Sequence, residues 1–320
     1  MSRAAVGLVG KLPATADFVR RGAGSAGFAA LYGWLLDGVQ SGAAARGDWL
    51  SQVPRGAVQA MCFRAPGGGS VLAGALAPSL DAAGRRFPIA AAAELALDAA
   101  LAEHGEVSPL LLEPLWAVTS QLVLELQEID RAALDQTELE ADAQVDLPAA
   151  LAAYRSWTEE LELEELVALV FAEDGARAAL ALALVEEAVL PYRGVENPDT
   201  PLSLRLPLGH AGGAAVCFWL DLVERLTGWR RTVPSFFWSH DGNSGALMLH
   251  LGRVVPVALA ELWLPTGSCD QVCDLILPAQ LWASAGVSRW ERMIVDTRLP
   301  VAELLRSVQP KNHRGGARGC

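Results

Sequence analysis

Two glycine-containing segments near the amino terminus have spacings that bind phosphate groups in other proteins. Residues 22–27 read Gly-Ala-Gly-Ser-Ala-Gly, the glycine spacing that lets a dinucleotide pyrophosphate approach a helix amino terminus. That fingerprint must follow a buried strand, and residues 17–21 are too few and too charged for one. Gly10-Lys11 is similar to part of a P-loop, but the surrounding residues lack the required glycine and hydroxyl residue. We therefore predict a turn before a helix at residues 22–27, and no cofactor.

Two further groups in the carboxy-terminal half could bind a metal. Cys269 and Cys273 are four residues apart and could offer two thiolates to zinc from one helix face, but no second ligand pair follows. We interpret them as two small buried core residues. His240-Asp241 could belong to a metal-dependent phosphatase, yet residues 241–245 between two strand candidates are typical of a hairpin. No metal site and no catalytic residue is predicted.

The elements that would position these groups alternate between strands and helices. Strands are predicted at residues 5–12, 57–63, 71–76, 87–92, 202–206, 235–238 and 246–251, and helices at 28–39 and 213–226. This alternation predicts an α/β fold, with a mixed sheet or sheets covered by helices in a layered α/β/α sandwich.

An acidic block divides the chain. Residues 125–165 contain thirteen acidic residues against Arg131 and Arg155, with apolar residues at helical spacing and Pro148 opening a second helix. We predict an amino-terminal α/β domain at 1–130, an acidic helical connector at 131–170, a carboxy-terminal α/β part at 171–310 and a disordered basic tail at 311–320. The acidic helices are a solvated face or a docking surface for a basic partner.

Composition excludes several classes of function. The chain has 320 residues, 52% of them hydrophobic, and a net charge of -12, so nucleic acid is not an expected ligand. Its apolar runs are too short for a membrane span, and we expect no membrane insertion. Five scattered cysteines give no disulfide framework and favour a reducing, cytoplasmic location.

Two segments carry a more specific pattern. The first reads Gly-Leu-Val-Gly-Lys-Leu-Pro at residues 7–13, followed by Asp17-Phe-Val-Arg-Arg. The second reads Pro-Ser-Leu-Asp at 78–81, followed by Gly-Arg-Arg-Phe-Pro at 84–88. In this order they resemble the TagF (also called ImpM) family of type VI secretion-associated proteins, over roughly the first 90 residues.

The resemblance implies a non-enzymatic negative regulator that acts after translation in the bacterial cytoplasm. It implies binding to a scaffold protein that bears a forkhead-associated domain. The alternatives are a hydrolase or phosphatase that uses His240 and Asp241, and a structural subunit associated with the secretion baseplate.

The polar residues of the two segments are the candidate site. They are Lys11, Asp17, Arg20, Arg21, Ser79, Asp81, Arg85 and Arg86. These side chains could pair with one another and hold two loops together, or contact a partner. An exposed cluster would bind partners, whereas a buried one would stabilise the fold.

Overall fold

The described residues form one mixed sheet with helices on both faces. The computed structural model describes residues 3–65, 67, 69–97, 99–142, 146–195, 198–229, 233–239, 245–267, 269–276, 287–295 and 298–308. Its strands are β1 (Arg3–Gly10), β2 (Val19–Arg21), β3 (Gln59–Arg64), β4 (Ser70–Ala77), β5 (Ile89–Ala96), β6 (Glu140–Asp142), β7 (Leu202–Gly209), β8 (Ser235–Ser239), β9 (Gly245–Leu251) and β10 (Val272–Asp274). They lie in the order β10-β7-β9-β8-β3-β4-β5-β1-β2, and β6 pairs with β1. The predicted α/β fold is confirmed.

The helices connect these strands and cover the sheet. They are α1 (Ala26–Arg46), α2 (Ala99–Glu103), α3 (Ser108–Leu111), α4 (Glu113–Glu125), α5 (Arg131–Gln136), α6 (Leu147–Glu160), α7 (Leu163–Phe171), α8 (Gly175–Val189), α9 (Gly212–Thr227), α10 (Ala258–Trp263), α11 (Val287–Val295) and α12 (Val301–Ser307). Three short 3-10 helices, η1 (Trp49–Gln52), η2 (Gly105–Val107) and η3 (Leu190–Tyr192), complete the described elements.

Alternating side chains of each strand enter two separate cores. Phe236 of β8 packs in the core that holds α4, α7, α8 and α9, and its neighbour Phe237 packs in the core under α1 and α10. The same alternation separates Leu8 from Val9 in β1. Because successive side chains of a strand point to opposite faces, the two cores lie on opposite sides of the sheet. The layers are therefore α/β/α.

The sheet passes continuously from the amino-terminal strands to the carboxy-terminal ones. β3 pairs antiparallel with β8, through Ala60 opposite Trp238 and Cys62 opposite Phe236. The acidic segment 131–170 is not helical throughout, because Glu140–Asp142 forms β6 and pairs with β1. The residues of the predicted tail, 311–320, lie outside the described ones, and the domain division stays a prediction.

Two local predictions meet different outcomes. Residues 22–25 do precede a helix, and the Ser25 hydroxyl caps α1 by accepting a hydrogen bond from the Phe28 amide at 3.3 Å. The shared helix face of Cys269 and Cys273 is wrong, since Cys273 lies in β10 and Cys269 in the turn before it. Both thiols are half-buried.

A glycine in the central strand β4 permits close packing against β5. An ideal Cβ at Gly74 would lie 2.0 Å from the carbonyl oxygen of Ala91 and 2.5 Å from the Cα of Ala92. We expect Gly74→Ala to lower the free energy of unfolding by about 1 to 3 kcal/mol, because the strands must separate to admit the methyl group. Urea denaturation measures the change. Gly69→Ala is the control, since its Cβ would meet open space, and equal stability of the two variants would contradict the prediction.

Candidate functional site

The two motif segments meet at a buried ion pair. Lys11 directly follows β1, and Asp81 lies in the loop between β4 and β5. The Lys11 ammonium is 2.9 Å from Asp81 Oδ2, and the two side chains are 9% and 0% exposed. Lys11 and Asp81, two of the charged residues in the candidate site, thus come together across 70 residues of chain.

Asp81 is surrounded by hydrogen-bond donors from its own loop. Its Oδ1 accepts from the backbone amides of Ala83 at 3.0 Å and Arg85 at 2.9 Å. Its Oδ2 accepts from Arg85 Nε at 2.7 Å in addition to Lys11. Burial alone would raise the pKa of Asp81, but these hydrogen bonds and the Lys11 charge hold that pKa well below its usual range. The carboxylate is therefore ionised at neutral pH.

Arg85 and Thr15 tie the two loops to each other. An Arg85 guanidinium nitrogen donates to the carbonyl of Ala16 at 2.6 Å, and the Ala82 amide donates to the carbonyl of Thr15 at 2.8 Å. The Thr15 hydroxyl in turn donates to the Asp17 carbonyl at 2.9 Å. Lys11 and Arg85 thus pair with Asp81 inside the protein, as one of the two sequence-based alternatives predicted, although most of the Arg85 side chain stays exposed.

The two arginines of β2 have different surroundings. Arg20 is exposed, and its guanidinium carbon lies 3.8 Å from the centroid of the Tyr32 ring. Arg21 donates to the carbonyls of Leu134 at 2.5 Å and Thr137 at 2.7 Å, at the carboxy-terminal end of α5. Arg21 therefore joins the first motif to the acidic segment, as a cation at a helix carboxy terminus.

The remaining candidates divide between the interior and the surface. Ser79 is buried, and its hydroxyl has no hydrogen-bond partner among the described residues. Asp17 is exposed and accepts a hydrogen bond from the Phe18 amide at 2.7 Å. Arg86 is exposed, and within the described ranges its guanidinium has no ion pair or hydrogen bond. Arg86 is the candidate most available to a partner.

A recess of about 470 Å³ opens beside Arg85 and Arg86, and we call it the motif cleft. Its other wall and floor come from α1 and η1. The side chains that line it include Val39, Ala43, Trp49, Leu50, Arg85 and Arg86. The second motif thus contributes a buried carboxylate to the fold and two outward arginines to a cleft.

One family model matches the part of the chain that holds the two motif segments. The family model of the TagF N-terminal domain, which is type VI secretion system-associated, matches residues 7–144. The amino-terminal part of the chain, somewhat less than half of its length, is therefore similar to the TagF family. The match extends beyond the roughly 90 residues that hold the two motifs, and includes β6, which pairs with β1. The TagF domain therefore reaches into the segment that the sequence analysis assigned to a connector.

The crystal structure of PA0076 from Pseudomonas aeruginosa PAO1 is similar at 19% identity and a TM-score of 0.43, covering 82% of this chain and 96% of that one. No curated protein matches the chain. Among the described residues, no single helix has the length and hydropathy of a membrane span. The helices at 105–111 and Glu113–Glu125, which meet at a bend, have that length and hydropathy only when they are counted together.

Outside the TagF domain, one Ser-His pair was missed from the sequence. Ser203 Oγ of β7 lies 2.8 Å from His250 Nδ1 of β9, as partners in adjacent strands. Both residues are 0% exposed, and His250 Nε2 has no partner within the described part of the chain. Burial lowers the pKa of His250 to about 3. A nucleophile and base need access to substrate, so we assign this pair to the core.

The alternative hydrolase or phosphatase site depends on two residues near the β8–β9 connection. His240 and Asp241 lie outside the described residues. Their flanking strands β8 and β9 pair antiparallel, with Ser239 opposite Ala246.

Proposed function

We propose that this protein is a non-enzymatic, cytoplasmic negative regulator of type VI secretion, which acts after translation by binding a scaffold protein with a forkhead-associated domain. The association with type VI secretion comes from the TagF domain at residues 7–144. The regulatory role and the scaffold partner are what the resemblance to the TagF family implies. We assign the contact to the exposed part of the second motif.

The single observation that carries the proposal is the division of charges in the second motif. Asp81 is fully buried and paired, whereas Arg85 is 62% exposed and Arg86 faces solvent. A loop whose interior carboxylate fixes its shape presents its outer arginines at low entropic cost, because the backbone is already ordered before binding. Such a preorganised basic loop suits recognition of another protein.

A contact role is also consistent with the chemistry of the polar groups described above. The Ser203-His250 pair described above is sealed in the core, where a substrate has no access to it. The exposed side chains of Arg85 and Arg86 in the second motif end in guanidinium groups, which remain protonated and bind anions.

A binding experiment tests the proposal. The purified scaffold protein is immobilised, and we expect it to retain the intact protein and to bind Arg86→Ala at least about fivefold more weakly, because a contact with an interface arginine is lost. Arg55→Ala is the control, since Arg55 is exposed but does not line the motif cleft. Failure of the scaffold to bind the intact protein would refute the proposed partner. Co-purification with the assembled secretion apparatus instead would favour a structural subunit.

A further inference from the structure

The floor of the motif cleft is apolar and preformed. Its accessible apolar surface comes from the half-buried Val39 and the exposed Ala43, which lie over the buried Trp49 and Leu50. Gly42 lets the Trp49 indole pack directly on α1, because a Cβ at Gly42 would lie 2.3 Å from Trp49 Nε1. The adjacent wall is the small side chain of Ala43. The recess therefore has room for one apolar side chain of a ligand, without rearrangement of the helix.

The rim of the cleft is basic. Arg85 and Arg86 lie on one side, and Asp48 is the only acidic residue among the described residues that line the cleft. Arg85 already shares Asp81, but most of its side chain is exposed, and Arg86 forms no ion pair with another described residue. A guanidinium group forms paired hydrogen bonds with a carboxylate, so this rim selects acidic groups.

The stretch of chain that contains most of the cleft also has an excess of basic residues. Residues 1–93 contain nine basic and four acidic residues, a net charge of +5, in a chain whose total is -12. The part of the TagF domain that contains the cleft is thus positive although the protein is strongly negative. A local excess of basic residues beside the cleft favours an acidic segment as its ligand.

We propose that the motif cleft binds an acidic segment of a partner protein, with one apolar side chain against Val39 and Ala43 and neighbouring carboxylates on Arg85 and Arg86. This inference rests on the proposed function, and it names the chemistry by which the scaffold is recognised. The apolar floor gives the segment its anchor, and the arginines set its charge preference.

A peptide experiment tests the cleft without the scaffold. The probe is a fluorescein-labelled peptide with one leucine among five Asp and Glu residues, titrated with the full-length protein by fluorescence anisotropy. We expect saturable binding below about 0.5 mM, which weakens at least threefold when NaCl rises from about 50 to about 300 mM, because salt screens exposed charges. A peptide with Lys and Arg in place of the acids should not bind.

Two substitutions with matched controls locate the binding. Arg86→Glu should weaken peptide binding about tenfold or more, and Ala43→Glu should do the same by placing a carboxylate inside the cleft. Arg55→Glu and Ala44→Glu introduce the same charges at exposed positions that do not line the cleft, and should stay within about twofold of the unaltered protein. Arg86 is chosen over Arg85 because Arg85 also holds Asp81.

The possible outcomes separate this inference from the proposed function. No peptide binding by the unaltered protein, equal binding of the basic peptide, or equal effects of the Ala43 and Ala44 variants would each overturn the cleft assignment. Scaffold binding that is insensitive to Arg86→Glu and Ala43→Glu would overturn it too, while leaving the regulator proposal intact. Peptide binding together with no scaffold binding would refute the scaffold as partner and retain the cleft.

Discussion

Replacement of Asp81 by alanine should lower the melting temperature of the protein by about 4 to 8 °C. The substitution leaves the Lys11 ammonium buried without its carboxylate and removes the acceptor of the Ala83 and Arg85 amides. A buried charge that loses its partner is costly, because water cannot replace the lost interaction. Differential scanning calorimetry measures the shift.

Two further variants show that the loss comes from the ion pair. Asp17→Ala removes an exposed carboxylate of the same motif and should change the melting temperature by less than about 1 °C. Combining Asp81→Ala with Lys11→Met should be less destabilising than Asp81→Ala alone, since the unpaired ammonium is gone. A single Asp81→Ala variant as stable as Asp17→Ala would contradict the structural role of this pair.

The second large effect is a dependence of stability on pH that comes from His250. Its pKa is lowered to about 3 in the folded protein and returns to about 6.5 in the unfolded chain. Between these values the unfolded state binds the proton and the folded state does not, so stability falls as pH decreases. We expect the histidine to account for a loss of about 2 to 3 kcal/mol in the free energy of unfolding between pH 7 and pH 4.5.

Comparison of variants isolates that contribution. Urea denaturation of His250→Gln at pH 7 and pH 4.5 should show a smaller loss than the unaltered protein by about that amount, whatever its stability at pH 7. His210→Gln is the control, because His210 is exposed. The Asp81 contribution does not interfere at these pH values, since the lowered pKa of Asp81 means that its contribution declines only below about pH 4. An identical pH dependence in all three proteins would refute the assignment to His250.

Much of the sheet was predictable because its strands are marked locally. Residues 71–76 and 246–251 were predicted as strands and form most of β4 and β9. Apolar runs bounded by glycine and proline identify such segments without knowledge of their neighbours. The short strands β2 and β6 were missed, because each has three residues and depends on pairing with β1.

The residue types and order of the two motifs indicated the resemblance to the TagF family, and the acidic block and net charge of -12 follow from composition alone. Which motif charges serve the fold and which face outward was decided only by tertiary structure. Lys11 and Asp81 are 70 residues apart, and the chain brings them together by placing β1 next to β5. Arg85 and Arg86 are neighbours in sequence, yet Arg85 bonds to Asp81 while Arg86 faces solvent. Burial and partner distance determine those roles, and neither is encoded in a residue type or a local spacing.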